Sequence, residues 1–341
     1  MEKEPKVMVL IDSNAIIHRS YHALPKTMST SKGELTNVIY GYTTTLLKVL
    51  EDLKPDYIAA SFDISRATFR MAEYSEYKAT RIKADQELYD QIPKVRELLS
   101  VLNIPIYELE GFEADDCIGT ISDKFEDNNP KQIYKDCKVY IVTGDKDTFQ
   151  LVDDNIFIYN LKGGLSNIQI TDRDAIMKDW GLHPEDFVDL KALAGDPSDN
   201  IPGVPGIGPK TAIDLLQKFD SLDKLYVKIK SLTHNKGLDE AELKKIAAEL
   251  QIKPRALQLL IDYEDQAEMS QSLATIRRDV PLDFDLDKCK WGDYDKEALK
   301  NFFERMQFHS LLRRFGAERA TGPKTEAAEE QKIEDNQLSL L

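Results

Sequence analysis

Val7-Met-Val-Leu-Ile-Asp12 is five apolar residues closed by an acid, and the form returns as Tyr57-Ile-Ala-Ala-Ser-Phe-Asp63 and Val139-Tyr-Ile-Val-Thr-Gly-Asp145. Short apolar runs of this kind fit strands buried on both faces. Between them Val38 to Leu53, Ile92 to Leu102 and Glu113 to Phe125 carry helical patterns. Strands alternating with helices predict a parallel α/β sheet. Parallel strands send their C-terminal ends to one edge, where open α/β sheets bind ligands. Asp12, Asp63 and Asp145 are therefore expected to converge on one cleft. Asp147 joins them, since residues two apart in extended chain point the same way.

Gly111-Phe-Glu-Ala-Asp-Asp116 sets three more carboxylates, Glu113, Asp115 and Asp116, just before a helical stretch. Taken alone, acids in a first helical turn complement the helix dipole, and an Asp at a strand end is an ordinary turn former. Gathered together they repel and raise one another's pKa, which cations relieve. The three cysteines, Cys117, Cys137 and Cys289, are odd in number and form no CxxC pair, and the five histidines do not cluster. Disulfide and zinc frameworks are thus disfavoured, and a site built from oxygen favours Mg²⁺ or Mn²⁺.

The 341 residues suffice for one large domain or two smaller ones, and 42% apolar with 31% charged residues describes a soluble globular protein. No apolar run approaches the ~18 residues of a membrane span, and the N-terminus lacks the apolar core of a signal peptide. A cytoplasmic chain without a membrane partner is expected. The net charge of −15 looks hostile to nucleic acid. The segment 317–341 holds six acids and three bases, leaving −12 for the rest, and setting aside nine candidate metal-site acids leaves −3. Two divalent ions would then bring the body near neutrality, so charge does not exclude DNA.

Arg66 to Lys83 interrupts the α/β alternation with Arg66, Arg70, Lys78, Arg81 and Lys83 among Phe69, Tyr74 and Tyr77. Cations that track phosphates and rings that stack on bases suit single-stranded nucleic acid; a solvated helix face is the plainer reading. Ile156 to Asn160 and Ile168 to Ile170 read as a strand or hairpin turning at Gly163-Gly164, and Thr171 as the N-cap of a helix through Asp179. A helix is expected from Pro184 to about Ala194, followed by Gly195-Asp-Pro-Ser-Asp-Asn200, which adds Asp196 and Asp199. In Pro202-Gly-Val-Pro-Gly-Ile-Gly-Pro-Lys-Thr-Ala212, Gly206 and Gly208 permit a tight turn before a helix near Pro209. Its N-terminal amides, with Lys210, suit a phosphate, although the spacing is not that of a Walker loop. Helices are expected at Leu222 to Ile229, Glu240 to Leu250, Ala256 to Ala274 and Lys296 to Phe308, with Val280 to Leu286 extended.

With these motifs in order, the chain resembles the 5′ nuclease family, the flap endonucleases, and most closely the 5′-3′ exonuclease domains of bacterial DNA polymerases I. The likeness spans about Val7 to Phe315 and rests on Asp12 with Arg19, Tyr21-His-Ala23, Phe62-Asp63, Tyr77-Lys-Ala-Thr-Arg81, Gly111 to Asp116, Thr143-Gly-Asp-Lys-Asp147 and Gly195 to Ala212. Ser13 departs from the family's usual glycine, a matter for the local turn. The resemblance implies a PIN-like α/β fold: a central mostly parallel sheet with flanking helices, a helical arch, and a C-terminal helical region with a helix-three-turn-helix motif. It implies a catalytic core over 1–190 with the arch at about 64–90, a helical region over 191–315, and a disordered acidic tail over 316–341.

The same resemblance implies metal-site roles for Asp12, Asp63, Glu113, Asp115, Asp116, Asp145, Asp147, Asp196 and Asp199. Lys78 and Arg81 would reach the scissile phosphate, assisted by Arg19. Arg66, Arg70, Tyr77 and Lys83 would contact DNA in the arch, and Gly203, Gly206, Gly208, Lys210 and Thr211 would grip the duplex around a K⁺ ion. The implied reaction is structure-specific 5′-3′ exonuclease and flap cleavage by two Mg²⁺ or Mn²⁺ ions ~4 Å apart. The implied substrates are DNA with 5′ flaps or ends and RNA primer–DNA hybrids, met by a monomer at the bacterial nucleoid during primer removal and repair. Gln337, Leu338, Leu340 and Leu341 resemble a sliding-clamp-binding pentapeptide. Two other readings use the same acids: a PIN-type ribonuclease, which needs neither arch nor Pro202 to Ala212, and a silent junction-binding module.

Overall fold

The computed structural model describes residues 5–65, 67–126, 133–161, 168–233 and 238–315. Its centre is a six-stranded sheet of β1 (Lys6–Asp12), β2 (Tyr57–Ser61), β3 (Ile106–Tyr107), β4 (Cys137–Thr143), β5 (Ile156–Asn160) and β6 (Gln169–Thr171), in the order β3-β2-β1-β4-β5-β6. All neighbours are parallel except β5 and β6. β1 lies between β2 and β4, with Asp12 opposite Ser61 and Ile11 opposite Val142. The C-terminal ends of the three strands therefore come out at the same edge.

Alternation along the strands divides their side chains between two cores. Met8, Leu10, Val139, Ile141, Ile156 and Ile158 enter one, while Val9, Ile11, Val142 and Tyr159 enter the other. The second core is closed by helices Ser13–Ala23, Asn37–Leu53, Ile92–Val101 and Lys296–Met306. The first is closed by Ala114–Ser122 and by the helices from Asp186–Ala194 to Glu264–Ala274. Because both faces are covered, the strands read as unbroken apolar runs.

Several local expectations shift. Asp172, not Thr171, caps helix Arg173–Trp180 by accepting the Ala175 N–H at 2.8 Å, because Thr171 is still paired in β6. The stretch expected as one helix from Ala256 to Ala274 is two, Pro254–Asp262 and Glu264–Ala274, meeting at Tyr263. Helix Ser13–Ala23, which follows β1 without a loop, has no counterpart in the sequence reading. Thr143 and Asp12 make that abrupt turn possible: the Asp12 carboxylate accepts the Ala15 N–H at 3.0 Å as N-cap and the Thr143 hydroxyl at 2.8 Å.

The Gly195 to Ala212 stretch folds back on itself through one close approach. A Cβ on Gly203 would lie 2.2 Å from the Gly195 nitrogen, and both glycines have positive φ, +59° and +72°. Asp196 and Ile201 exchange backbone hydrogen bonds at 2.8 and 2.9 Å across the loop between them. Gly203, expected at a DNA-facing turn, is thus buried backbone packing. Gly203→Ala should cost about 2–4 kcal/mol, combining left-handed strain with overpacking. Urea unfolding of the purified variant checks this, and wild-type stability would refute the close approach.

Candidate active site: acids under a basic strap

Asp12 ends β1, while Asp63 and Asp145 lie just beyond β2 and β4. Asp63 is held by the Ala114 N–H at 2.7 Å and the Asn14 amide at 2.9 Å, which ties it to the start of helix Ala114–Ser122. That helix begins with Glu113 as N-cap and presents Asp115 toward the strand ends. Burial, and then Asp63 and Asp145, push Asp12 up to about 6. Burial, followed by Asp12, Asp145 and Asp63, holds Asp115 well above the usual carboxylate range. Asp12 feels two of the other acids and Asp115 feels all three, which is the convergence expected from the strand pattern.

The remaining acids are arranged differently. Four basic side chains cover five carboxylates. Arg70 donates to Asp116 at 2.7 and 2.8 Å and to Glu113 at 3.1 Å. Lys78 donates to Glu113 at 2.8 Å, and Arg81 pairs with Asp199. Lys191 bridges Asp147 and Asp196. Asp12, Asp63, Asp115 and Asp145 meet no lysine or arginine at ion-pair distance among the described residues.

Three expected assignments change on this geometry. Asp116 is fully buried and takes four donors: two from Arg70, the Arg277 N–H at 2.9 Å and the Glu113 N–H at 3.0 Å. Its oxygens are spent, so it is a structural anchor and not a ligand. Arg70, expected on DNA, is 3% exposed and also donates to the Leu273 and Thr275 carbonyls at 2.8 Å each. A buried guanidinium with every arm engaged fastens the strap to the acid helix and to the end of helix Glu264–Ala274. Tyr77 is likewise buried at 3%, its hydroxyl donating toward Glu113 at 3.1 Å and Asp199 at 3.2 Å, which leaves no ring face for a base.

The strap itself is not one long helix. A short helix, Phe69–Glu73, leads into turns that lay Lys78 and Arg81 over the acids. The Lys78 N–H donates to the Asp199 carbonyl at 2.8 Å, and the Asn200 amide to the Glu76 carbonyl at 2.6 Å. Lys78 and Asn200 both adopt the left-handed conformation, with φ of 54° and 57°. Asp85 closes the far end by accepting from Tyr21 and Lys26 at 2.6 Å each.

Arg19 is half-buried on helix Ser13–Ala23, and its Nε has no hydrogen-bond partner among the described residues. Lys83 and Lys210 are exposed. Gly206 has φ +86° and nothing within 4 Å of a Cβ on Gly208, so this turn leaves its backbone approachable, with Thr211 half-buried behind it. Arg66 and the tail residues Gln337, Leu338, Leu340 and Leu341 lie outside the described residues.

Lys191, which pairs with two of the candidate metal-site acids, is a side chain that the sequence reading did not single out. Its only sequence signal is a position five residues before Asp196, on helix Asp186–Ala194. Burial would lower its pKa, but Asp147 and Asp196 outweigh this and raise it. The two partners respond unequally. Asp147 is pushed up to about 7 by burial and Asp145 despite the lysine, whereas in Asp196 the lysine outweighs burial and lowers it.

Among the described residues no three acids already stand as a completed metal site, and lysines pair with Glu113, Asp147 and Asp196. The donor set is nevertheless all oxygen, and the repulsion that lifts Asp12 and Asp115 is what a hard divalent cation relieves. The residues fit such an ion chemically.

The sequence profile of the N-terminal resolvase-like domain of 5′-3′ exonucleases matches residues 7–181, and that of their C-terminal SAM fold matches 182–297. The chain belongs to the 5′-3′ exonuclease family. It is 37% identical over 332 residues to DNA polymerase I of Bacillus subtilis, covering 97% of this chain and 34% of that protein. It is 38% identical over 307 residues to DNA polymerase I of Chloroflexus aurantiacus, covering 89% and 30%. The chain thus spans about a third of the length of these relatives. In fold it is similar to the T5 5′-exonuclease with bound zinc (TM-score 0.59, 17% identity, 89% of this chain and 99% of that one). It is also similar to the catalytic core of Rad2 in complex with DNA substrate (TM-score 0.51, 21% identity, 89% and 88%). Among the described residues no helix is long and apolar enough to cross a membrane.

Two outcomes follow for an ion-binding cleft. The Asp12 carboxyl is pushed up to about 6, above the ordinary carboxylate range, so its ionised form disfavours the fold above pH 6 and this penalty fades on acidification. The rise in Tm on adding Mg²⁺ should therefore be larger at about pH 7.5 than at about pH 5.5, where protons compete for the same oxygens. Equal rises at both pH values would contradict the assignment. Lys191→Gln removes the internal cation from Asp147 and Asp196, leaving them uncompensated. The ion-free variant should melt lower yet bind Mn²⁺ more tightly, as followed by electron paramagnetic resonance; unchanged Mn²⁺ affinity would show that the lysine does not compete.

Proposed function

We propose that the cleft hydrolyses DNA phosphodiesters as a structure-specific 5′-3′ exonuclease and flap endonuclease. The observation that carries this is the division of charge: four acids meet no cation at ion-pair distance among the described residues, and beside them Lys78 and Arg81 lie over the same cleft. Mg²⁺ or Mn²⁺ bound there would activate a water and offset charge on the phosphate. Asp12, Asp63, Asp115 and Asp145 would hold such ions, and Glu113, Asp147, Asp196 and Asp199 could join once their lysines and arginine turn toward substrate.

Under this reading Lys78 and Arg81 exchange a carboxylate for the scissile phosphate, where both are stronger donors to growing negative charge. Tyr77, bound to Glu113 and Asp199, fixes where Lys78 starts from. Arg19 supplies a further cation from helix Ser13–Ala23. The approachable backbone of Gly206 and Gly208, with Lys210 and Thr211, grips the duplex phosphates, and K⁺ is the ion proposed for that turn. Because these contacts are to backbone, junction geometry and not base sequence selects the cut.

We place the chemistry in residues 1–190 and the duplex grip in 191–315. The substrates proposed are 5′ flaps, 5′ ends and RNA primer–DNA hybrids, handled by a monomer in the bacterial cytoplasm, with the 316–341 tail available to a sliding clamp. A silent binding module would have no use for uncompensated acids beside a strap of cations. Asp115→Ala should bind a 5′-flap duplex in Ca²⁺ with near-normal affinity yet cleave it at least ~100-fold more slowly in Mg²⁺. Wild-type cleavage by this variant would end the nuclease reading.

A further inference from the structure

Arg277 and Arg278 are neighbours with opposite fates. Arg278 is spent within the protein, donating to Glu126 at 2.8 Å and to the Gln150 carbonyl at 2.9 Å. Arg277 is exposed, and its guanidinium meets no carboxylate at ion-pair distance among the described residues. Yet its backbone is fixed beside the cleft. Its N–H donates to Asp116 at 2.9 Å, the carboxylate that Arg70 clasps, and a Cβ on Gly119 of the acid helix would lie 2.8 Å from its carbonyl oxygen.

The side chain is parked on an aromatic ledge. Its guanidinium carbon is 4.9 Å from the centroid of the Phe69 ring, which Arg70 also touches at 4.6 Å. Phe69 lies 5.9 Å from Phe112, the residue before Glu113, and both rings are half-buried. The ledge therefore joins the base of the strap to the start of the acid helix. An open cleft of about 470 Å³ is lined by Arg277 and Arg278 together with Asp123, Glu185 and Asp279.

A free arginine over partly exposed rings is the combination that holds single-stranded nucleic acid, charge on the backbone and stacking on the bases. We propose that Arg277 contacts a backbone phosphate of the single-stranded 5′ segment of the substrate, with Phe69 and Phe112 as the stacking ledge beneath it. The inference rests on the nuclease reading and adds to it a contact from the C-terminal region, outside the acid and strap motifs.

The test uses the full chain in Ca²⁺, with fluorescence anisotropy on a labelled 5′-flap duplex and on the same duplex without its flap. Arg277→Ala should weaken flap binding about five- to tenfold and reduce the salt slope by about 0.7, the value for one phosphate of a single strand. Binding of the flapless duplex should stay within about twofold. Arg277→Lys keeps the charge and should retain most of the affinity, and Arg277→Glu should lose more than the alanine variant. Unchanged flap affinity in both the alanine and glutamate variants overturns the proposal. Equal loss on both DNAs also overturns it, since Arg277 would then be a duplex contact. A wild-type chain that binds neither DNA would overturn the nuclease reading together with this one, whereas unaltered variants of a flap-binding wild type overturn this one alone.

Discussion

Like charge brought to one sheet edge is the constraint that the rest of this protein answers. A parallel sheet has no choice about where its strand ends go, and here β1, β2 and β4 deliver or approach Asp12, Asp63 and Asp145 side by side. Asp115 then arrives from the acid helix, and its raised pKa measures the cost of bringing it there. Such crowding persists only because surrounding elements over-determine it. Thr143, Ala15, Ala114 and Asn14 each donate to one of the clustered acids and fix it in place.

Around that core the protein supplies its own cations, and each one fastens a different element. Arg70 ties the strap to the acid helix and to the end of helix Glu264–Ala274. Breaking one arm of a buried pair of this kind typically costs ~3–5 kcal/mol, because the partner is left charged and dry. Lys191 joins the turn after β4 to the loop holding Asp196, and Lys78 and Arg81 lay the strap over Glu113 and Asp199. Electrostatic balance and tertiary assembly are therefore one problem in this fold. The C-terminal region is bound to the catalytic sheet by the residues that neutralise its acids.

What the sequence disclosed follows from which interactions are local. Strands buried on both faces announce themselves as apolar runs, so the sheet and the convergence of Asp12, Asp63 and Asp145 were readable from spacing alone. The division of labour among the acids was not. Asp115 and Asp116 are adjacent in one motif, but successive helical residues point about 100° apart, and only one of them faces the strand ends. Arg70 and Tyr77 look like exposed strap residues because nothing in their neighbourhood of sequence reveals that Asp116, Leu273 and Asp199 will enclose them. Lys191 and Arg277 sit in stretches whose periodicity is that of ordinary helix and extended chain, and their significance comes wholly from long-range partners.

The four internal cations differ in how easily they can leave. Arg70 is buried with every arm engaged, so its removal would take donors from two carboxylates and two carbonyls at once, and it is the most firmly held of the four. Arg81, by contrast, keeps 48% of its side chain exposed, and Lys78 keeps 22%. For these two, solvent already screens the pairing, so exchanging a carboxylate for a phosphate costs little. Lys191, at 15%, lies between those limits. Along the strap, exposure rises from Arg70 through Lys78 to Arg81. Under the proposed function the exposed cations are the ones that would be traded when an anionic strand and divalent ions enter together, while the buried Arg70 would keep its carboxylates in position.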